Sequence, residues 1–236
     1  MIEVRNLAFA YGNRTVLRDV SFVVSPGEIV SLVGANGTGK TTLMRVLATL
    51  AVPTSGLVMS DGQDALARPL KYRRQIGYLP ERVALYDDMT VRDYLSYRAE
   101  LKGEPAKRVR RRVGEASEMC GVSDLMQTPI ARLSLGFRKR VALADAILLR
   151  PRVLLLDDFL AGLDRGLRQG MGEILSNVAS FASVIVTGHE VEDFVKWSTR
   201  ILVLRDGVVS SVVSTLGADR GELVTRIDGL LKGGGR

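Results

Sequence analysis

Gly34-Ala35-Asn36-Gly37-Thr38-Gly39-Lys40-Thr41-Thr42 decides how this chain is read. An apolar run, Ile29-Val30-Ser31-Leu32-Val33, leads into it, and an apolar helical pattern, Leu43-Met44-Arg45-Val46-Leu47, leads out. Strand, glycine-rich loop and helix, with Lys and Thr closing the loop, is the arrangement of a phosphate-binding P-loop. The chemistry explains the residue types. Glycines let backbone N–H groups turn inward and approach phosphates without side-chain clash. A nest of N–H groups and the positive end of a helix favour anions. Lys40 is placed to reach the β- and γ-phosphates of a nucleotide, and the Thr41 hydroxyl to ligate Mg²⁺.

The rest of the composition sets bounds. At 236 residues the chain is long enough for one sizeable core with a subdomain. An apolar share of 46% and a charged share of 25% describe an ordinary globular protein. The single cysteine, Cys120, excludes an intrachain disulfide framework and fits a reducing compartment, with a packing role in a helix. No apolar run reaches membrane-spanning length, and Met1-Ile2-Glu3-Val4-Arg5 reads as a first strand, not as a signal peptide. Net charge is +7. The one basic cluster, Lys107-Arg108-Val109-Arg110-Arg111-Arg112, falls at helical spacing without interleaved aromatics. It reads as a solvated helix face, and no nucleic-acid partner is expected.

Patterning predicts strands over 2–7, 16–24 and 29–33, with turns at Asn13 and Pro26-Gly27. A helix follows over 39–50, then short strands at 57–60 and 75–80. Residues 90–150 change character and read as nearly all helix. Thr90 caps a helix to Leu101 with Asp93 in the capping-box position, a second runs over 105–120, and a third over 137–149 stops at Pro151. Strands at 153–157, 183–187 and 201–204 then alternate with helices at 164–178 and 190–197. The expectation is an α/β fold with a three-layer core, a mostly parallel sheet, an N-terminal antiparallel β subdomain and an inserted α-helical subdomain. The core would take about 1–85 and 151–215, the helical subdomain about 86–150, and a tail 216–236. In the tail, an amphipathic stretch over 223–231 predicts a short helix before a flexible glycine-rich end.

Ligands on parallel sheets bind at the carboxyl ends of strands. The P-loop follows Val33, Asp157 closes the apolar run Val153-Leu154-Leu155-Leu156, and His189 follows Thr187. All three are therefore candidates for one site. An apolar strand ending in Asp, some 110 residues beyond a P-loop, is the Walker B layout, in which the carboxylate holds Mg²⁺. His189 is the only histidine in the chain, so a histidine–cysteine metal cluster is excluded.

At this point the chain resembles the ATP-binding subunits of ABC transporters over roughly residues 1–215. The P-loop family arrangement is joined, in order, by Tyr11 in Phe9-Ala10-Tyr11-Gly12, Leu133-Ser134-Leu135-Gly136-Phe137, Ala161-Gly162-Leu163-Asp164, Val184-Ile185-Val186-Thr187-Gly188-His189-Glu190, and Ile201-Leu202-Val203-Leu204-Arg205-Asp206-Gly207. The resemblance implies that Tyr11 stacks on adenine. It implies that Ser134 and Gly136 face the γ-phosphate held by a second subunit, and that His189 contacts the γ-phosphate and positions the attacking water. ATP would then be sandwiched between two chains. Ser134 is also placed to cap the helix that follows it.

Three positions depart from the family pattern. Asp158 stands where most members have the glutamate that polarises the attacking water, and Phe159 replaces a proline. Its stem is shorter by one C–C bond, about 1.5 Å, which predicts slow hydrolysis. Glu81 occupies the position of the glutamine whose oxygen faces Mg²⁺, and Ile76-Gly77-Tyr78-Leu79-Pro80-Glu81 resembles an exporter-type branch that includes gliding-motility-associated members. The signature reads L-S-L-G-F where the family has L-S-G-G-Q, so Phe137 lacks the polar contacts of a glutamine.

The resulting expectation is an ATPase subunit working with a second ATP-binding subunit and separate transmembrane permease subunits. It would sit peripherally on the cytoplasmic face of the plasma membrane. Two alternatives stay open: a nucleotide-gated binding subunit with little hydrolysis, and a soluble ABC ATPase acting on ribosomes, DNA or cofactor assembly.

Overall fold

The computed structural model describes residues 1–233. The chain opens with a hairpin of β1 (Ile2–Tyr11) and β2 (Arg14–Val24), turned by Gly12-Asn13 so that Tyr11 lies opposite Arg14. Both strands run longer than hydrophobic alternation alone predicts. Two polar residues in the left-handed region, Asn6 and Asp19, break the alternation, and the Asn6 amide donates to Asp19 Oδ1 at 2.6 Å. The pleat shifts there and pairing resumes beyond it, which carries Tyr11 to the strand end. β3 (Ile29–Val33), α1 (Lys40–Leu47), β4 (Ser55–Ser60), β5 (Gln63–Asp64), α2 (Pro69–Arg73) and β6 (Ile76–Leu79) follow.

Three helices then come in succession: α3 (Val91–Leu101), α4 (Ala106–Met119) and α5 (Leu135–Ile147). Thr90 caps α3 by accepting from the Asp93 N–H at 3.2 Å, a contact whose removal costs about 1 kcal/mol. α3 is tied to α5 through Asp145, which receives Lys102 at 2.7 Å and Arg98 at 3.0 Å. The basic run lies on α4, where Val109 is buried while Lys107, Arg108, Arg110 and Arg111 are exposed, as a solvated face requires. Cys120 is fully buried at the end of α4.

The chain closes with β7 (Val153–Leu156), α6 (Arg165–Ala179), β8 (Ser183–Gly188), α7 (Val191–Trp197), β9 (Arg200–Arg205), β10 (Val208–Ser214) and α8 (Arg220–Lys232). Two sheets result. One is antiparallel in the order β2-β1-β4-β5, and the other runs β10-β9-β3-β8-β7-β6. In the second every neighbouring pair is parallel except β9 with β10. Its central strands are buried on both faces. Val30, Leu32, Val153 and Leu155 pack with α1 and the antiparallel sheet, while Ile29, Val33, Leu154 and Leu156 pack towards the helices of the other side. That is the three-layer α/β arrangement expected.

Sequence patterning missed β5, α2 and β10. The first two are short and polar, and β10 carries its valines and serines in pairs, Val208-Val209-Ser210-Ser211-Val212-Val213-Ser214, so no period-two pattern marks this edge strand. The amphipathic tail forms α8, capped by Asp219 and packed through Leu223 and Ile227. The glycine-rich end expected to be flexible lies outside the described residues.

Candidate functional site

β3, β8 and β7 are adjacent and parallel, so the segments after Val33, Thr187 and Leu156 emerge side by side. Between them and the β1–β2 turn lies a cavity of about 700 Å³. Tyr11, Asn36, Gly37, Gly39, Lys40, Thr41, Thr42, Glu81, Asp157, Asp158 and His189 line it. Gly34, Ala35 and Thr38 belong to the same loop but do not line the cavity. Ser134 and Gly136 lie outside the cavity, on α5.

The loop's shape depends on its glycines. Gly39 precedes α1 with φ 106°, and a Cβ there would come within 2.7 Å of Leu17 Cδ2. A Cβ on Gly34 would meet the Leu204 carbonyl oxygen at 2.4 Å. The backbone is therefore free to curl, and the α1 N-terminus has no acidic residue in its first turn to oppose an anion. Lys40 is 8% exposed, and its ammonium donates to the carbonyls of Gly34 at 2.7 Å and Ala35 at 3.1 Å. Burial lowers its proton affinity, while the Asp158 and Asp157 charges act the other way.

Asp157 is 1% exposed. Its Oδ1 accepts from the Thr187 hydroxyl at 2.7 Å and from the Thr41 hydroxyl at 3.3 Å, and its Oδ2 is buried without a partner. Burial raises its pKa first, against the Thr187 and Thr41 hydrogen bonds, with the Asp158 and Glu81 charges adding to the rise. A buried carboxylate oxygen with no donor, beside a hydroxyl and under a phosphate cradle, suits a hard divalent cation. Among the described residues no group of three or more His, Cys, Asp and Glu side chains could hold a metal by itself. A Mg²⁺ bound mainly by phosphate oxygens and water needs no such group.

Asp158 takes the left-handed conformation, with φ 44°. Its N–H donates to Thr187 Oγ1 at 2.9 Å, and its Oδ1 is buried without a partner. Burial is the main force raising its pKa, followed by the Glu190 charge, while His189 and Lys40 pull it down. Thr187 thus organises both carboxylates, donating to one side chain and accepting from the other's backbone. Its position before the histidine gave the only sequence hint of this role. Arg14 and Val16, beyond the β1–β2 turn, also line the cavity without a sequence signal.

Tyr11 stands at the cavity wall, 49% exposed, with its ring edge-on to Phe9 at 4.7 Å between centroids. Glu81 and His189 are exposed. Ser134 caps α5 by accepting from the Phe137 N–H at 3.4 Å and is itself exposed, as are Leu135 and Phe137. Gly136 is buried against Leu167. This end of α5 is open to solvent and does not line the cavity that holds the chain's own P-loop residues.

A parallel sheet, a glycine-rich loop entering a helix through Lys-Thr, and a buried Asp on the next strand but one define a P-loop nucleotide-binding protein. More narrowly, the chain belongs to the ABC transporter family, whose sequence profile matches residues 17–161. It is 33% identical over 215 residues to the spermidine/putrescine import ATP-binding protein PotA of Spiroplasma citri, covering 90% of this chain and 61% of that protein. The chain thus spans about six-tenths of that relative's length. Among solved structures, CbiO1 from Clostridium perfringens, part of the ABC transporter complex CbiONQ, superposes with a TM-score of 0.86 at 25% identity, covering 98% of this chain and 95% of that one. The dimeric ATP-binding cassette MJ0796, in a post-hydrolysis state bound to ADP and phosphate, superposes with a TM-score of 0.82 at 25% identity, covering 92% and 100%.

Proposed function

We propose that this chain binds MgATP in the 700 Å³ cavity, hydrolyses it slowly at an interface with a second ATP-binding subunit, and drives separate transmembrane permease subunits. The observation that carries the reading is the meeting of Lys40, Thr41, Asp157, Asp158 and His189 at one sheet edge, with both carboxylates keeping an unpaired buried oxygen. Lys40 would leave the loop carbonyls for the β- and γ-phosphates. Thr41 and Asp157, with Glu81 nearby, would hold Mg²⁺, which neutralises phosphate charge. Asp158 would polarise the attacking water, and His189 would contact the γ-phosphate. Tyr11 would stack on adenine. Ser134 and Gly136 would serve the other subunit's nucleotide, which agrees with their position outside this chain's own cavity. The dimeric form and ADP-and-phosphate contents of MJ0796 support this reading.

Among the described residues no helix is long and apolar enough to cross a membrane, so transport needs a membrane partner. We place the protein peripherally on the cytoplasmic face. Residues of about 86–150 would act as a helical subdomain, and closure would be passed to the membrane partner's helices through the groove between core and subdomain, near Glu81 and residues 85–91. The run Ile76–Leu79, with Pro80 and Glu81, supports an exporter-type branch resembling gliding-motility-associated members, whereas the Spiroplasma relative is named for import. Isolating the complex and sequencing its membrane subunit decides between these directions. The same isolation finding no membrane subunit would favour a soluble ATPase. Phosphate release by wild type, Lys40→Ala and Asp158→Asn tests the catalytic part. We expect wild type to exceed both, and a wild-type rate no higher than either variant would leave a nucleotide-gated binder.

A further inference from the structure

Outside the lining of the cavity sits a buried cation whose hydrogen bonds, among the described residues, go only to main-chain carbonyls. Lys139, in the second turn of α5, is 6% exposed. Its ammonium donates to the Phe159 carbonyl at 2.8 Å and to the Ala161 carbonyl. Burying an ammonium on neutral acceptors is costly, and a fold keeps such a group only where something compensates. Burial does lower its proton affinity, and the charges of Asp158, Glu190 and Glu81, all at or beside the cavity, oppose that fall.

The clamped carbonyls belong to the turn that begins at Asp158. Phe159 and Leu160 bury their side chains, 2% and 0% exposed, so one side of the turn is fixed by packing. The Ala161 N–H donates back to the Asp158 carbonyl at 3.2 Å, and the Leu163 N–H to the Leu160 carbonyl at 3.1 Å. Asp158 itself is held in the left-handed region by two hydrogen bonds of its main chain, its N–H to Thr187 Oγ1 and its carbonyl from the Ala161 N–H within the same turn. Lys139 supplies the remaining restraint, from a different helix.

We propose that Lys139 is a positioning residue for hydrolysis: by clamping the Phe159 and Ala161 carbonyls to α5, it holds the Asp158 carboxylate at its place on the cavity wall. The inference rests on the reading of Asp158 as the group that polarises water. Lys139 touches no part of the cavity, so its loss moves a catalytic group without removing a nucleotide contact.

The test uses the full chain with Lys139→Met, which keeps length and burial but removes the donors, and Lys139→Gln, which keeps an N–H donor. A displacement near 1 Å costs roughly a hundredfold, so kcat for Lys139→Met should fall at least about tenfold while KM for MgATP stays within about threefold. Lys139→Gln should recover part of the loss. In an Asp158→Asn background, Lys139→Met should cause no further fall in kcat. Amide exchange over residues 158–163 should quicken in Lys139→Met and not in Arg138→Met, the neighbouring cation of α5. Unchanged kcat in a folded Lys139→Met protein overturns the proposal, as does an equal fall in the Asp158→Asn background. Should Lys139→Met fail to fold, Lys139→Gln carries the same comparisons. If wild type hydrolyses no faster than Asp158→Asn, it is the reading of Asp158 that fails. The exchange experiment then decides the clamp alone, with unchanged exchange overturning it.

Discussion

Replacing Asp158 with glutamate sets two effects against each other, and both can be sized. The Asp158 carboxylate lies on the cavity wall with Oδ1 buried and unpaired, so with its backbone held in place the length of the stem sets how far it reaches. One more C–C bond advances the carboxylate by about 1.5 Å. A shift near 1 Å in a reacting group is worth roughly a hundredfold, so Asp158→Glu should raise kcat by about ten- to a hundredfold. The backbone opposes the change. At φ 44° an aspartate is tolerated because its short polar side chain suits the left-handed region, whereas a longer residue loses about 1 kcal/mol. In a chain of this size that lowers Tm by about 2–4 °C. The assay is phosphate release at saturating MgATP, alongside thermal unfolding. Turnover equal to or below wild type, with nucleotide affinity retained, would refute the argument that stem length limits the rate.

Other expectations follow from single contacts. Gly34→Ala forces a methyl against the Leu204 carbonyl and Thr38 Oγ1, at 2.4 and 2.8 Å, and should cost about 1–3 kcal/mol in urea unfolding together with weakened ATP binding. Tyr11→Ala removes the exposed ring at the cavity wall and should weaken ATP and GTP alike by about 1–3 kcal/mol in equilibrium titration, since stacking tolerates either base. Burial pushes the Cys120 thiol from 9.0 up to about 12. A folded pKa above the unfolded one gives stability that is whole below about pH 9 and drains away towards about pH 12. Cys120→Ala should therefore flatten part of the alkaline limb of stability against pH, and the wild-type thiol should resist alkylation until the protein unfolds.

How far the site was legible depended on how local its signals are. The P-loop announces itself because glycine spacing, lysine and threonine all lie within nine residues. The Ser134 and Thr90 caps were readable for the same reason, since a cap bonds three residues ahead. Asp157 and His189 needed the topology. Only the order β3-β8-β7 turns three separated strand ends into one wall, and alternation of strands and helices implied that order without fixing it. Lys139 was not legible as part of the site, and Thr187 only through its place just before His189. Each acts across a large gap in the chain, Thr187 on Asp157 and Asp158, Lys139 on the turn after Asp158. Neither belongs to a motif whose spacing reports the contact. The hairpin bulges at Asn6 and Asp19 escaped for a related reason: strand patterning runs through both positions, and only the pairing with the partner strand reveals the shift.

The central claim is that the cradle around Lys40 holds a nucleotide triphosphate together with Mg²⁺. Calorimetric titration of ATP, with and without Mg²⁺, into wild type and Lys40→Ala tests it most directly. The account predicts binding to wild type that tightens with Mg²⁺, at one site per chain, and at least about tenfold weaker binding to Lys40→Ala, since a buried charge-assisted contact is lost. Equal affinity for the two proteins, or no heat from wild type, would contradict it.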